Sequence, residues 1–209
     1  MNLCCLIMFK QGLMVRTAVA LLCLMSPGTP AASARQRIRI APNATCTPYA
    51  ELPVPLEGQQ QSNWCWAASA QMIMEYHGVT VPQCVQANDA LGRSDCCGGS
   101  PPSVCNTTGW PSFGTYGFLY TTTIGPFTLD EIAEEIGCRE RPIAFTWAWD
   151  GGGGHMMVAF GFDESGWVLI HDPLPVGYGS TSAITYSAYF DGPGYIHNID
   201  YFMIFPLGD

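Results

Sequence analysis

Gln59-Gln60-Gln61-Ser62-Asn63-Trp64-Cys65-Trp66-Ala67-Ala68, continuing as Ser69-Ala70-Gln71-Met72-Ile73-Met74-Glu75-Tyr76-His77-Gly78, is the stretch on which the reading of this chain turns. Its Ala, Met and Ile content favours helix and Gly78 is a natural stop, so the spacing predicts a helix over residues 64–77 capped by Asn63. Between residues 65 and 75 only Cys65, Ser69, Gln71 and Glu75 are polar. A helix apolar nearly all round has to be central rather than laid on a surface. Cys65 falls in its first turn, where free N–H groups and the positive end of the helix dipole stabilise a thiolate. Burial alone also accounts for a cysteine in such a helix, so the decision rests on what surrounds it.

A thiolate nucleophile needs a base, and the chain offers His77, His155, His171 and His197. His77 closes the same helix about twelve residues on, roughly 18 Å along the axis and out of reach. His155 follows four glycines, Gly151 to Gly154, which let the backbone curl tightly and leave room for a substrate chain beside the imidazole. The segments 141–149, 155–163 and 167–172 are rich in Ile, Val, Phe and Trp with turn residues between them, and are predicted strands. Hairpin parity then nominates the partner of His155. A two-residue turn at 164–165 or at 165–166 sets His155 and Asp172 on one face, whereas a three-residue loop separates them. His171 falls on the opposite face in either two-residue register, and a bulge would reverse this. Donors for a developing oxyanion are the backbone N–H of Cys65 and a side-chain amide from Gln59, Gln60 or Gln61, among which spacing alone does not choose.

Outward from these segments, Thr128 and Glu131 form a capping-box pattern that opens a short acidic helix ended by Gly137. Further strands are predicted at 183–190 and 200–205, and a short helix near 83–91. The rest of 79–127 is irregular, and Trp110, Phe113, Tyr116, Phe118 and Tyr120 within it are candidates for a cleft wall or for core. Helix first and antiparallel strands second is an α+β order. At 209 residues, with 48% apolar and only 12% charged, the chain has the length and composition of one globular domain.

Lys10 and Arg16 precede the apolar run 17–25, breakers follow, and Ala32-Ser33-Ala34 is a cleavage pattern, so residues 1–34 are read as a secretory signal peptide and the protein as secreted or periplasmic. Residues 35–51 then form an extended N-terminal segment and 52–209 the catalytic domain, with a cysteine-rich insertion at 84–105. Loss of the leader takes the net charge from -9 to -11, because it holds two cations and no Asp or Glu. So acidic a surface repels phosphate backbones and anionic lipid, which excludes nucleic-acid and peripheral membrane partners. Seven cysteines remain: Cys46, Cys65, Cys84, Cys96, Cys97, Cys105 and Cys138. In an oxidising compartment an odd count leaves one thiol over, and adjacent Cys96 and Cys97 are expected to bond different partners. A zinc site from Cys84, Cys96, Cys97 and Cys105 is the competing reading, but its spacing matches no common motif, so neither a metal nor a cofactor is expected.

The segment 59–68, with its Gln, five residues, Cys-Trp spacing, resembles the active-site segment of papain-like cysteine peptidases. Gly153-Gly154-His155-Met156-Met157-Val158-Ala159-Phe160-Gly161-Phe162-Asp163 and His171-Asp172-Pro173 resemble the histidine and acid strands of the same fold, in the same chain order. The similarity is to the bacterial branch related to type III avirulence effectors and bacteriocin-leader peptidases, and spans about residues 52–175. It implies a papain-like fold, a central buried helix carrying the nucleophile and packed on an antiparallel sheet, and hydrolysis of peptide bonds in a peptide or protein substrate through a Cys thioester. It implies Cys65 as nucleophile, His155 as base and then acid, Asp172 as orienter of the imidazole and Gln59 as oxyanion donor. An amidase or acyl transferase acting on cell-wall peptides or protein glutamine, or a non-catalytic binding module, are the alternatives.

Overall fold

The run Cys65–Tyr76 is a helix (α1), one residue shorter at each end than its sequence pattern, in the computed structural model, which describes residues 47, 49–163 and 165–208. The leader expected over 1–34, and Cys46, lie outside the described residues. Every residue of α1 from Trp66 to Met74 is buried, so the helix is central as its composition demands. Its cap differs from expectation. Trp64 occupies the N-cap and no side chain caps the first turn, because Asn63 is engaged elsewhere: its N–H donates to Asn106 Oδ1 and its Nδ2 to Asn106 O, both at 2.9 Å.

The helix α1 packs on strands β3 (Ile143–Trp149) and β4 (Gly154–Asp163) of an antiparallel sheet. The other strands are β1 (Tyr49–Glu51), β2 (Phe118–Ile124), β5 (Trp167–Asp172), β6 (Ser180–Thr185), β7 (Asp191–Gly192) and β8 (Tyr195–Pro206). Their order is β2-β8-β3-β4-β5-β6, with β1 on β4 and β7 on β8. The architecture is the expected α+β one. β1 draws the end of the extended N-terminal segment into the sheet, pairing Tyr49 with Asp163.

Three elements depart from the sequence pattern. β2 lies in the stretch read as irregular; it is an edge strand whose Thr-rich run is largely exposed, so it lacks apolar alternation. The strand expected over 183–190 stops at Thr185, whose hydroxyl accepts the Ala188 N–H and opens α4 (Tyr186–Phe190). The Thr128–Glu131 capping box forms in both directions and opens α3 (Leu129–Ile132), but the helix widens to a π-turn over Ala133–Cys138 before it ends.

The insertion begins with α2 (Gln83–Leu91), where a helix was expected. The sulfurs of Cys84 and Cys97 stand 2.02 Å apart and those of Cys96 and Cys105 2.13 Å, so the adjacent cysteines sit at disulfide distance from different partners and the four sulfurs of the zinc alternative fall into two pairs. Cys138 is disulfide-bonded as well. Among the described residues the free cysteine is Cys65.

Candidate active site

β3 turns into β4 through the four-glycine loop, closed by the Trp149 N–H on Gly153 O at 3.2 Å and the Gly152 N–H on Trp149 O at 2.9 Å. Gly154 sits opposite Ala148, and a Cβ there would stand 2.4 Å from the Trp147 carbonyl oxygen, a backbone atom that cannot yield. The next residue, His155, pairs across the ladder with Trp147.

The β4–β5 connection spans three residues, 164–166, with Asp163 Oδ1 accepting the N–H groups of Ser165 at 2.9 Å and Trp167 at 3.0 Å and with Gly166 at φ 86°. This is the loop length expected to part His155 from Asp172. The pairs nearest the turn, Phe162 with Val168 and Gly161 with Leu169, would indeed set His155 on the face of His171 if they continued. They do not. Between Gly161–Leu169 and Ala159–Ile170 the strand β4 carries one extra residue, Phe160, and this bulge shifts the pairing by one and exchanges the faces. Asp172 thereby comes to the face of His155, and His155 Nε2 donates to Asp172 Oδ1 at 2.6 Å. The same Oδ1 accepts the Leu174 N–H at 2.8 Å.

The other histidines are accounted for differently. His171 stacks on Phe160 with ring centroids 4.0 Å apart, donates from Nε2 to Val54 O at 3.0 Å and accepts at Nδ1 from the Thr181 hydroxyl at 2.8 Å; burial lowers its pKa. His197 is buried with Nδ1 on Tyr189 O at 3.0 Å, and its Nε2 lies 3.0 Å from Asp200 Oδ1 without hydrogen-bond alignment. His77 follows α1 at its far end, edge-on to Tyr76.

Cys65, half-buried, and His155, buried, open onto one cleft of about 320 Å³. With Nε2 given to Asp172, Nδ1 is the ring nitrogen left for the sulfur. Burial alone would lower the His155 pKa, but hydrogen bonds to Asp172 and Cys65 and their charges overcome it and raise it to about 9. An imidazole in this setting holds its proton at neutral pH, unlike His171 two strand positions from Leu169 on the opposite face.

Gln59 is 1% exposed and fixed at its backbone, its N–H donating to Pro173 O at 2.9 Å and its carbonyl accepting the Gly177 N–H at 2.8 Å. The segment of Gln59 is therefore docked on the loop that follows Asp172. Its Nε2 donates to Gln61 O at 2.9 Å, leaving the second amide hydrogen, and its Oε1 is buried without a partner. Gln60 is exposed and its backbone N–H is taken by Gln83, which separates Gln59 from its neighbours as the buried amide of the three.

Of the aromatics proposed as a wall, Trp110 lines the cleft, stacked on Tyr201 at 6.4 Å. Phe113 and Phe118 belong to the core, the Tyr116 hydroxyl donates to Asp89, and Tyr120 stacks on Tyr201. Sequence reasoning missed Thr108, Gly109, Trp147 and Asn198, which also line it. Trp147 could have been found from the register, as the residue opposite His155. Asn198 could not: it is the extra residue of a second bulge, between the pairs Thr146–Ile199 and Trp147–His197, which turns it toward the cleft.

The family model described as the papain-like cysteine protease AvrRpt2 matches residues 48–188. Curated proteins give no match. Similar solved structures include the peptidase domain of Streptococcus ComA, a bifunctional ABC transporter involved in a quorum-sensing pathway, at 12% identity and a TM-score of 0.46 over 73% of this chain and 98% of that one. Another is a double-glycine-motif protease from an AMS/PCAT transporter in complex with the leader peptide, at 20% identity and a TM-score of 0.45 over 75% of this chain and 94% of that one.

Proposed function

We propose that this chain, which belongs to the AvrRpt2 family of papain-like cysteine proteases and is a cysteine peptidase, cleaves its peptide or protein substrate through a thioester on Cys65 after export from the cell. The observation that carries the assignment is the placement of His155, hydrogen-bonded through Nε2 to the Asp172 carboxylate and opening with Cys65 onto one cleft. In this reading the Cys65 thiolate attacks the scissile carbonyl carbon and its π electrons move to oxygen. The oxyanion lies at the uncapped first turn of α1, beside the Cys65 N–H, with the Gln59 amide as second donor. Collapse breaks the C–N bond as the His155 imidazolium gives its proton to the leaving amine. Neutral His155 then takes a proton from water, hydroxide adds to the thioester, and loss of the thiolate releases the acid. Asp172 holds the ring in orientation throughout and stabilises its charge. Export is supported by the leader pattern at 1–34 and by sulfur pairs at bonding distance, which persist in oxidising compartments.

A thiol-directed epoxide that mimics a peptide should label Cys65 stoichiometrically, as read by mass spectrometry of the tryptic peptide. Cys65→Ala should abolish both labelling and cleavage with unchanged circular dichroism. Absence of labelling of the folded wild-type chain at neutral pH would sink the assignment.

A further inference from the structure

Gln83, the first residue of α2, is 0% exposed, and neither end of its amide serves the helix it begins. Its Nε2 donates to Gly58 O at 3.0 Å and its Oε1 accepts the Gln60 N–H at 2.8 Å. These are the backbone groups on either side of Gln59. The two groups of Gln59 itself, N–H and C=O, go the other way, to Pro173 O and the Gly177 N–H. Four consecutive polar groups of the backbone are thus satisfied alternately from two sides, as in a central strand, with one side chain standing in for the missing neighbour. One turn along α2, buried Gln86 donates from Nε2 to Ala67 O at 2.9 Å, in the first turn of α1 after Cys65. The two glutamines lie on one face of α2 and span from the Gln59 segment to the nucleophile's helix.

We infer that Gln83 is a positioning residue: it fixes the backbone that aims the Gln59 amide at the oxyanion, and through α2 sets that amide's distance from Cys65. The inference rests on the reading of Gln59 as oxyanion donor. An isolated glutamine side chain has three free torsions, so an amide donor is useful only where its backbone root is held against both faces.

Two substitutions in the full chain test this, with Gln59→Ala as reference. Gln83→Met keeps volume and removes both hydrogen bonds. It should lower kcat on a peptide substrate roughly 10- to 100-fold, within the loss from deleting an oxyanion donor, about 10²- to 10³-fold. KM, and the rate at which iodoacetamide alkylates Cys65, should stay within about 2-fold, because alkylation develops no oxyanion. Adding Gln83→Met to Gln59→Ala should cost little beyond Gln59→Ala alone, as expected of two residues serving one interaction. Gln83→Glu gives a second readout that a general structural role would not move. A neutral carboxyl offers the same donor and acceptor pair as the amide, whereas a carboxylate offers only acceptors and opposes Gly58 O. The kcat of Gln83→Glu relative to wild type should therefore approach 1 at the acid end of the profile and fall as pH rises through the titration of the introduced carboxyl. The Glu series decides the matter if the Met variant fails to fold by circular dichroism. An unchanged kcat, a flat Glu ratio, or an equal fall in alkylation rate overturns the role of Gln83. If Gln59→Ala itself leaves kcat unchanged, the oxyanion reading fails and the inference falls with it, a result distinguishable from the others.

Discussion

At His155 two opposing influences meet, a buried ring that disfavours charge and two anionic partners that favour it, and the partners win, raising the pKa to about 9. A group whose pKa is raised on folding contributes stability that is full below its ordinary value of 6.5 and is lost as pH rises through about 9. Asp172→Ala should therefore cost more stability at the acid end of that window than above it, measured by urea unfolding at a series of pH values. The same substitution should bring the alkaline limb of kcat/KM down from about 9 and lower its plateau by roughly 10²- to 10³-fold. Asp172→Asn keeps an acceptor on the ring without the charge, so the limb should move while most of the plateau survives. A limb that stays in place in both variants would mean that the carboxylate does not set the His155 proton affinity. These candidate site residues were legible in the sequence because the proposed role of each needs a distinct side-chain type at a distinct place. Cys65 at a helix start, His155 after a glycine run and Asp172 before Pro173 are local signals.

Elements were legible where a pattern was local and strong, and lost where pairing decided. The α1 helix, the Thr128–Glu131 box and the three strands from Ile143 to Asp172 all carry their own periodicity or caps. The loop length between β4 and β5 and the bulge at Phe160 do not. A two-residue turn would set His155 and Asp172 on one face by parity, and the chain reaches the same partnership through three loop residues and one extra strand residue, two shifts of parity that cancel. No composition signal marks Phe160 as a bulge; its reason lies in the tertiary contacts, its ring on His171 and its carbonyl accepting the Leu52 N–H at 2.8 Å. At the other end of β4 the geometry is set by Gly154. Gly154→Ala would place a Cβ 2.4 Å from Trp147 O and so should force the β3–β4 hairpin apart, cost about 1–3 kcal/mol in urea unfolding and depress kcat through His155 beside it. Wild-type stability with wild-type kcat would show the hairpin to be more yielding than its packing.

Across the whole molecule the cysteine-rich insertion holds the residues on both sides of Cys65. Asn106 Nδ2 donates to Ser62 Oγ at 2.8 Å, Asn106 also holds both polar ends of Asn63, the Trp64 indole donates to Cys105 O at 2.6 Å and the Trp66 indole to Thr107 O at 3.3 Å. Residues on both sides of Cys65 are thus tied to 105–107, which Cys96 anchors through Cys105. Replacing Cys96 and Cys105 together by Ala should lower stability by about 2–4 kcal/mol. It should also slow alkylation of Cys65 by iodoacetamide, unlike Gln83→Met, because the helix start itself loosens. Retained alkylation kinetics would confine the insertion to stability. The sulfurs of this protein therefore have opposite requirements: the proposed catalysis wants Cys65 electron-rich and unbonded, while its supports want theirs joined. A strong dithiol reductant, added in excess to keep Cys65 active, would dismantle its scaffold, and an oxidant that spares the scaffold would silence the nucleophile. Full activity belongs to a bounded interval of thiol–disulfide potential, with failure on both sides of it.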